Sequence, residues 1–268
     1  MSKTNFSSIC DVPLSVGHVL HLEGNSKITC NDGTYDEPAA NSFSLPHISS
    51  CPGSTVTCRA SCYVNGLKRY VPEHYERFVA NQRTVNALLL DRDVSMRSSF
   101  ELAAHIAQTC TRFRWHVSGD VFSFEYASWI HNVCVQAPKV QFWIYTRTFN
   151  RSCLEALTAA PNLVVNLSMD KDNALQALAT YRVFRKRGVR LCAMATEEWS
   201  PSLGVLPAGS VIFPDYPLRG RDLDKPAESE WWKSLHTSQR RMVCPADAFG
   251  QSRHLRCGPC KKCLRPAV

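Results

Sequence analysis

The chain has 268 residues, 44% apolar and 20% charged, with a net charge of +8. That suffices for one large domain with a substantial core, and α/β barrels of this length commonly form a single domain. No apolar run approaches the roughly 20 residues of a membrane-spanning helix, and the opening MSKTNFSSICDVPLS lacks the apolar middle of a secretory signal, so a cytoplasmic protein without membrane attachment is expected.

Residues 1–42 are polar, rich in Asn, Ser, Gly and Asp, and show no sustained period, so they read as an irregular N-terminal extension. SFSLPH (42–47) reads as a first strand. Two helical patterns follow. PEHYERFVANQRTVNALLL places Tyr75, Phe78, Val79, Val85, Leu88 and Leu89 on one apolar face, with Pro72 suited to a first turn. SMRSSFELAAHIAQTC reads as a second helix opened by Ser95.

A regular rhythm then sets in. Short apolar runs begin at residues 112, 140, 162, 189 and 210: RFRWHVS, VQFWIYT, NLVVNLS, VRLCAMA and SVIFP. Helical stretches fill the first three gaps: FEYASWIHNVCVQ, RSCLEALTAA and NALQALATYRVFRKRG, the last stopped by Gly188. Strands alternating with helices imply βαβ units and a parallel sheet. The expected fold is therefore a partial (β/α)6 TIM-like barrel over residues 43–240. A cysteine-rich loop follows its first strand, and a cysteine-rich tail (241–268) packs on it.

Each run ends in polar residues: Ser118-Gly119-Asp120, Tyr145-Thr146-Arg147, Ser168-Met169-Asp170, Thr196-Glu197-Glu198 and Asp215-Tyr216. In (β/α) barrels the C-terminal strand ends form the working face. Ser118, Gly119, Asp120, Arg147 and Asp170 are therefore the candidate binding residues, for a small molecule or polyanionic ligand at a barrel mouth. Arg147 suits a carboxylate or phosphate, because its planar fork binds bidentately. Plainer readings stand beside these. Arg147 can pair with a neighbouring strand-end acid, Asp120 can cap the helix near Phe124, and His116 reads as a hydrogen-bonded barrel-interior histidine.

In a reducing compartment disulfides are rare, so thirteen cysteines, several clustered, point to metal or redox chemistry. Cys110, Cys134, Cys153 and Cys192 sit singly among apolar neighbours and read as buried small hydrophobes. Cys51, Cys58 and Cys62 form a C-x6-C-x3-C set after the first strand. Cys257, Cys260 and Cys263 have C-x2-C-x2-C spacing, with Cys244-Pro245 upstream. That second set resembles the ferredoxin arrangement with its last cysteine moved upstream, which favours a [4Fe–4S] cluster over tetrahedral zinc. The first set can anchor a [4Fe–4S] cluster with one iron open, or take a fourth ligand from Cys30 or the tail. Zinc with His47 or His74 is its alternative. One shared cluster and two separate clusters both satisfy the spacing.

CRASCYVN at 58–65 resembles the C-x3-C-x2-C loop of the radical S-adenosylmethionine superfamily, with Asn65 in place of the third cysteine and Cys51 substituting from upstream. VSGD at 117–120 resembles that superfamily's cofactor-binding turn after the second strand, and NLSMD resembles its fourth-strand end. The resemblance implies a partial barrel, an iron–sulfur cluster and S-adenosylmethionine. A narrower resemblance covers most of the chain. GNSKI, SFSLPHISSCPGSTVTCRASCY, RWHVSGDVFS, FWIYTRT, VCPA and CGPCKKC are similar to a family of actinobacterial phage and plasmid proteins, which implies cysteine ligation and a mobile-element origin but no particular reaction.

Two functions follow. One is an iron–sulfur enzyme, redox or radical, working at the strand ends. The other is a nucleic-acid-binding protein whose metal site is structural or sensory, with Trp231 and Trp232 beside basic residues in SEWWKSLHTSQRRM as stacking groups. A helix capping the barrel's open edge is the plainer reading of those tryptophans. A Ser-His-Asp elbow, a P-loop and an H-E-x-x-H motif are all missing, which argues against a hydrolase or a nucleotide-driven motor.

Overall fold

The computed structural model describes residues 6–25, 40–62, 64–196, 199, 206–214, 230–245, 260 and 262–264. Their eight strands form one sheet in strict sequence order: β1 (Phe6–Pro13), β2 (Val19–Asn25), β3 (Ser42–Phe43), β4 (Arg112–Trp115), β5 (Gln141–Thr146), β6 (Leu163–Met169), β7 (Arg190–Ala195) and β8 (Val211–Pro214). β1, β2 and β3 pair antiparallel, and β3 through β8 pair parallel. The six strands expected from the apolar runs are β3 to β8. The expected irregular extension is corrected here, since β1 and β2 lie inside residues 1–42. The sheet is open rather than closed into a barrel, with β1 and β8 at opposite edges.

Three helices separate β3 from β4 after the short α1 (Val56–Ala60): α2 (Val64–Tyr70), α3 (Pro72–Leu88) and α4 (Arg92–Thr109). Then come α5 (Phe124–Gln136), α6 (Arg151–Thr158) and α7 (Ala174–Phe184), one in each crossover from β4 to β7. Right-handed crossovers between strands in sequential order place α5, α6 and α7 on the same face. The strand side chains sort accordingly. Phe142, Ile144, Leu163, Val165, Leu167, Leu191 and Ala193 join the main core under α4–α7, whereas the intervening Trp143 and Val164 pack with Leu264 on the opposite face. Both faces are covered, which is why these strands read as near-continuous apolar runs.

Local chemistry sets the boundaries. α4 is capped by Asp91, which accepts from Asp93 and Val94 N–H groups, so the helix starts before the expected Ser95. Ser123 caps α5 by accepting from the Tyr126 N–H, which removes the capping role considered for Asp120. Gly188 closes the α7 end at φ +78°, as expected of a left-handed cap residue. Asn81 interrupts the apolar face of α3 but is buried, accepting from the His21 N–H and donating to the His21 and Ser44 carbonyls. α8 (Glu230–Ser234) and α9 (Thr237–Met242) carry the chain to Val243, which bridges in parallel to Ile212 at the β8 edge. Trp231 and Trp232 are half-buried against the main core, and the Arg240 guanidinium lies 5.7 Å from the Trp232 ring centre.

His116 follows β4 with φ +59°, a left-handed conformation uncommon for a non-glycine residue. That turn breaks the alternation. Trp115 joins the main core, and His116 also bonds Tyr126 of α5 at 2.7 Å, on the helix side rather than in a barrel interior. Burial first, then the charge of Arg114, holds its pKa down at about 3.

Glu23 of β2 behaves oppositely. Burial raises its pKa to about 8, against the pull of a hydrogen bond from Ser44 and the charge of Arg114. Between the ordinary 4.5 and 8, the folded chain holds a proton that the unfolded chain has lost, so stability falls as pH rises through that window. Glu23→Gln is expected to gain on the parent across the same window, by about 1.4 kcal/mol for each tenfold difference in proton affinity. Urea midpoints at several pH values check this. A difference that does not change with pH would sink it.

Candidate functional site

The loop after β3 runs across the C-terminal ends of the parallel strands. Its first turn is tight: Cys51 N–H donates to the Ile48 carbonyl at 3.1 Å, and Ser50 Oγ donates to the Pro46 carbonyl at 2.5 Å. Ile48 sits at φ +67°, a strained conformation for a β-branched residue. Gly119, at φ +87° after β4, lets this turn close, because a Cβ there would stand 2.5 Å from Leu45 Cβ and 2.8 Å from Ser50 Oγ. Gly53 fits against β5 so tightly that a Cβ would lie 2.2 Å from the Arg147 carbonyl oxygen. α1 then begins at Thr55, whose hydroxyl accepts from the Cys58 N–H at 2.9 Å.

Three strand-end residues hold that loop. Asp170 after β6 is fully buried and accepts from Thr55 Oγ1 at 2.6 Å, Arg147 Nη2 at 3.2 Å and the Asp172 N–H at 3.0 Å. Asp172 in turn accepts from the Thr57 N–H at 2.9 Å. Asp120 after β4 is buried and accepts from Thr146 Oγ1 at 2.5 Å and the Arg147 N–H at 2.8 Å. Arg147, its side chain 17% exposed, therefore joins both acids, and its buried Nε has no hydrogen-bond partner among the described residues. The plainer reading of Arg147, an ion pair with a strand-end acid, is realised with Asp170. Ser118 is buried beside them, its N–H donating to Ser44 Oγ at 3.1 Å and its carbonyl accepting from the Leu45 N–H at 2.9 Å.

The three thiols of the loop share this environment. Burial pushes the Cys51 thiol up to about 12, reinforced by the charges of Asp120 and Cys58. Burial also raises Cys58 and Cys62. Arg147 opposes the rise at both, while Cys62, Asp170 and Asp120 add to it at Cys58. The thiols are thus protonated at neutral pH, and a metal would bind with release of protons. Asn65, in the position of the absent third cysteine, bonds His47 Nε2 at 2.9 Å and donates to the Arg59 carbonyl at 3.1 Å. His47 also packs edge-on to Tyr75, at 5.3 Å between ring centres.

Cys244 and Cys263 of the terminal set lie elsewhere, at the β8 edge and against β6. The Cys244 N–H donates to the Ile212 carbonyl of β8, and the Cys263 carbonyl accepts from Asn166 Nδ2 of β6. Cys260 is also described, whereas Cys257, Cys30, Glu197, Glu198, Asp215 and Tyr216 lie outside the described residues. Cys192, read from the sequence as a buried small hydrophobe, is buried but polar in its contact: its thiol donates to Asn166 Oδ1 at 3.7 Å, beside Cys263. Only its place opposite the terminal set marks it, and no local sequence signal carries that.

Among the described residues, no three His, Cys, Asp or Glu side chains stand close enough together to hold a metal ion as placed. The strand ends gather Cys51, Cys58, Cys62, Asp120, Arg147 and Asp170 in one region, whereas Cys244 and Cys263 contact β8 and β6 through their backbones. No described helix is long and apolar enough to cross a membrane.

Comparison with known proteins gives a family model, described as Gene product 88, that matches residues 19–266. The Gene 88 protein of Mycobacterium phage L5 is 28% identical over 165 residues, covering 59% of this chain and 66% of that relative. The chain thus spans just under two thirds of the relative's length. No solved structure matches the chain.

Proposed function

The chain belongs to the Gene product 88 family of phage proteins, and from that premise we propose that it binds an iron–sulfur cluster through Cys51, Cys58 and Cys62 at the strand ends, in a partial (β/α) barrel of the radical S-adenosylmethionine kind. The observation that carries this reading is the company those thiols keep. Three cysteines from one loop share their surroundings with a guanidinium whose buried Nε–H has no partner among the described residues. Soft thiolates select iron–sulfur clusters, and hydrogen bonds to cluster sulfur tune them. A bound cluster would supply one-electron chemistry.

The chain's own residues have clear parts in this reading. Asp120 fixes the Arg147 backbone, Asp170 fixes its guanidinium, and Thr55 ties α1 to Asp170. Arg147 then balances thiolate charge and offers its free N–H to cluster sulfur or to the carboxylate of a second ligand such as S-adenosylmethionine. Asn65, engaged with His47 and the Arg59 carbonyl, leaves ligation to Cys51. The tail cysteines form a second metal-binding set, which makes two centres rather than one shared cluster.

Anaerobic purification with iron, sulfide and zinc measured per chain tests the reading. Iron and sulfide are expected in equal amounts, roughly four of each for every [4Fe–4S] cluster. The triple variant Cys51→Ala, Cys58→Ala, Cys62→Ala is expected to lose one cluster's complement. Added S-adenosylmethionine should perturb the electron paramagnetic resonance signal of the reduced first cluster. Zinc without sulfide would sink the iron–sulfur reading in favour of a structural site in a protein binding nucleic acid, for which salt-dependent retention on single strands is the check.

A further inference from the structure

The face of the sheet opposite α5, α6 and α7 is concave. Tyr145 of β5 and Phe213 of β8 have two strands between them, about 14 Å of a flat sheet, yet their ring centres are 5.8 Å apart. Phe213 pairs in register with Met194, beyond the row that joins Tyr145 to Asn166 and Arg190, which lengthens the flat path further. The sheet therefore curls toward this face, and the two rings meet across a hollow.

The hollow reaches solvent toward the C-terminal strand ends. Arg114, Tyr145, Ser168, Met194 and Phe213, one from each of β4 to β8, are half-buried there. Each is flanked along its strand by a core residue facing the helices. Lower on the same face, Trp143 and Val164 are buried with Leu264, and Asn166 donates to the Cys263 carbonyl. The C-terminal segment thus floors the hollow.

Arg114 is the cation of this hollow. Its guanidinium lies 4.9 Å from the Tyr145 ring centre, and its Nε donates to the His116 carbonyl at 3.3 Å. Stacked and anchored in this way, it presents Nη groups that have no hydrogen-bond partner among the described residues. No described acid stands within ion-pair distance of it. Glu23, in its row through Ser42, is kept largely protonated at neutral pH by burial, with a pKa of about 8, and supplies little counter-charge.

We propose that this hollow binds a small aromatic oxyanion, a ring bearing a carboxylate or a phosphate, with Arg114 gripping the oxyanion and Tyr145 and Phe213 flanking the ring. The paired Nη donors of a planar guanidinium match either oxyanion bidentately. The aromatic pair gives a flat ring edges and faces to pack on, and Met194 adds an adaptable apolar surface beside Phe213. The site stands on the sheet alone. No thiol takes part in it, so it does not depend on what the cysteines hold.

Titration calorimetry of the full chain with phenyl phosphate and with benzoate tests this, with methyl phosphate and acetate as ring-free probes. Saturable binding of at least one aromatic probe is expected, and the tighter of the two names the oxyanion. Arg114→Gln is expected to weaken it about tenfold or more. Arg112→Gln, on the same strand face, is expected to leave it unchanged. Tyr145→Leu should weaken the aromatic probe more than its ring-free counterpart. Should the Arg114→Gln chain fail to fold, Ser168→Phe decides, because a ring built into the hollow excludes the probe and leaves Arg114 in place. No saturable binding, an equal loss with Arg112→Gln, or full binding in Arg114→Gln or Ser168→Phe would overturn the proposal. The titration is repeated in the chain carrying Cys51→Ala, Cys58→Ala and Cys62→Ala, where binding is expected to persist. Binding lost there would place the probe at the cysteine loop and overturn the proposal. No metal is read in this test, so the iron–sulfur reading can fail with this site intact.

Discussion

Alanine at position 53 is expected to strip iron and sulfide from the first cysteine set while the rest of the chain stays folded. Gly53 meets β5 so closely that an added Cβ would lie 2.2 Å from the Arg147 carbonyl oxygen and 2.8 Å from its carbonyl carbon. These are backbone atoms, so no change of rotamer relieves the contact. The loop that carries Cys51 must lift by about 1 Å or more to restore ordinary van der Waals separation. Overpacking of this kind costs about 1–3 kcal/mol, a few degrees in Tm for a chain of this size. The larger effect is on ligation, because lifting Cys51 separates it from Cys58 on α1. Gly66→Ala is the matched control: it lies in α2, a Cβ there meets nothing within 4 Å, and alanine favours the helix. That variant is expected to keep its iron and to melt at or slightly above the parent. Wild-type iron content in Gly53→Ala would remove the docking of the loop on β5 from any account of the site.

The sheet was largely legible because its strands are buried on both faces. Runs such as NLVVNLS and VRLCAMA announce themselves by composition, and their spacing leaves room for one helix each. β1 and β2 escaped for the opposite reason. In VLHLEGN only Leu20 and Leu22 alternate with polar neighbours, and Glu23, an acid that reads as exposed, is in fact buried. A period of two over so short a stretch is easily lost inside a polar segment. At the strand ends, sequence reasoning could name Asp120, Arg147 and Asp170 from their positions but not their mutual bonds, which depend on register between β4, β5 and β6. Cys192 is buried as its apolar run implies, but its thiol contact with Asn166 depends on the pairing of β6 with β7.

Asp170→Ala is expected to be the most damaging single change at the strand ends, and it decides what the acid is for. The sequence places Asp170 among groups that bind a ligand. In the fold its carboxylate already accepts from Thr55 Oγ1, Arg147 Nη2 and the Asp172 N–H, and it is fully buried. Removing it leaves the Arg147 guanidinium, only 17% exposed, without its anion. Breaking a buried pair in this one-sided way costs about 3–5 kcal/mol, on the order of 10 °C in Tm at this chain length. It also frees Thr55, which caps α1 through the Cys58 N–H, so metal content should fall with stability. Asp170→Asn keeps the volume and one acceptor oxygen and should fall between the parent and the alanine variant. Asp172→Ala removes an exposed acceptor for the Thr57 N–H and side chain and is expected to cost less than either Asp170 variant. A double-mutant cycle of Thr55→Val with Asp170→Asn should show coupling of at least about 0.5 kcal/mol if the acid acts by holding α1. Additive effects, with Asp170→Asn folding and loading metal like the parent but losing an added ligand, would return Asp170 to the binding role and leave the latch on α1 to Asp172.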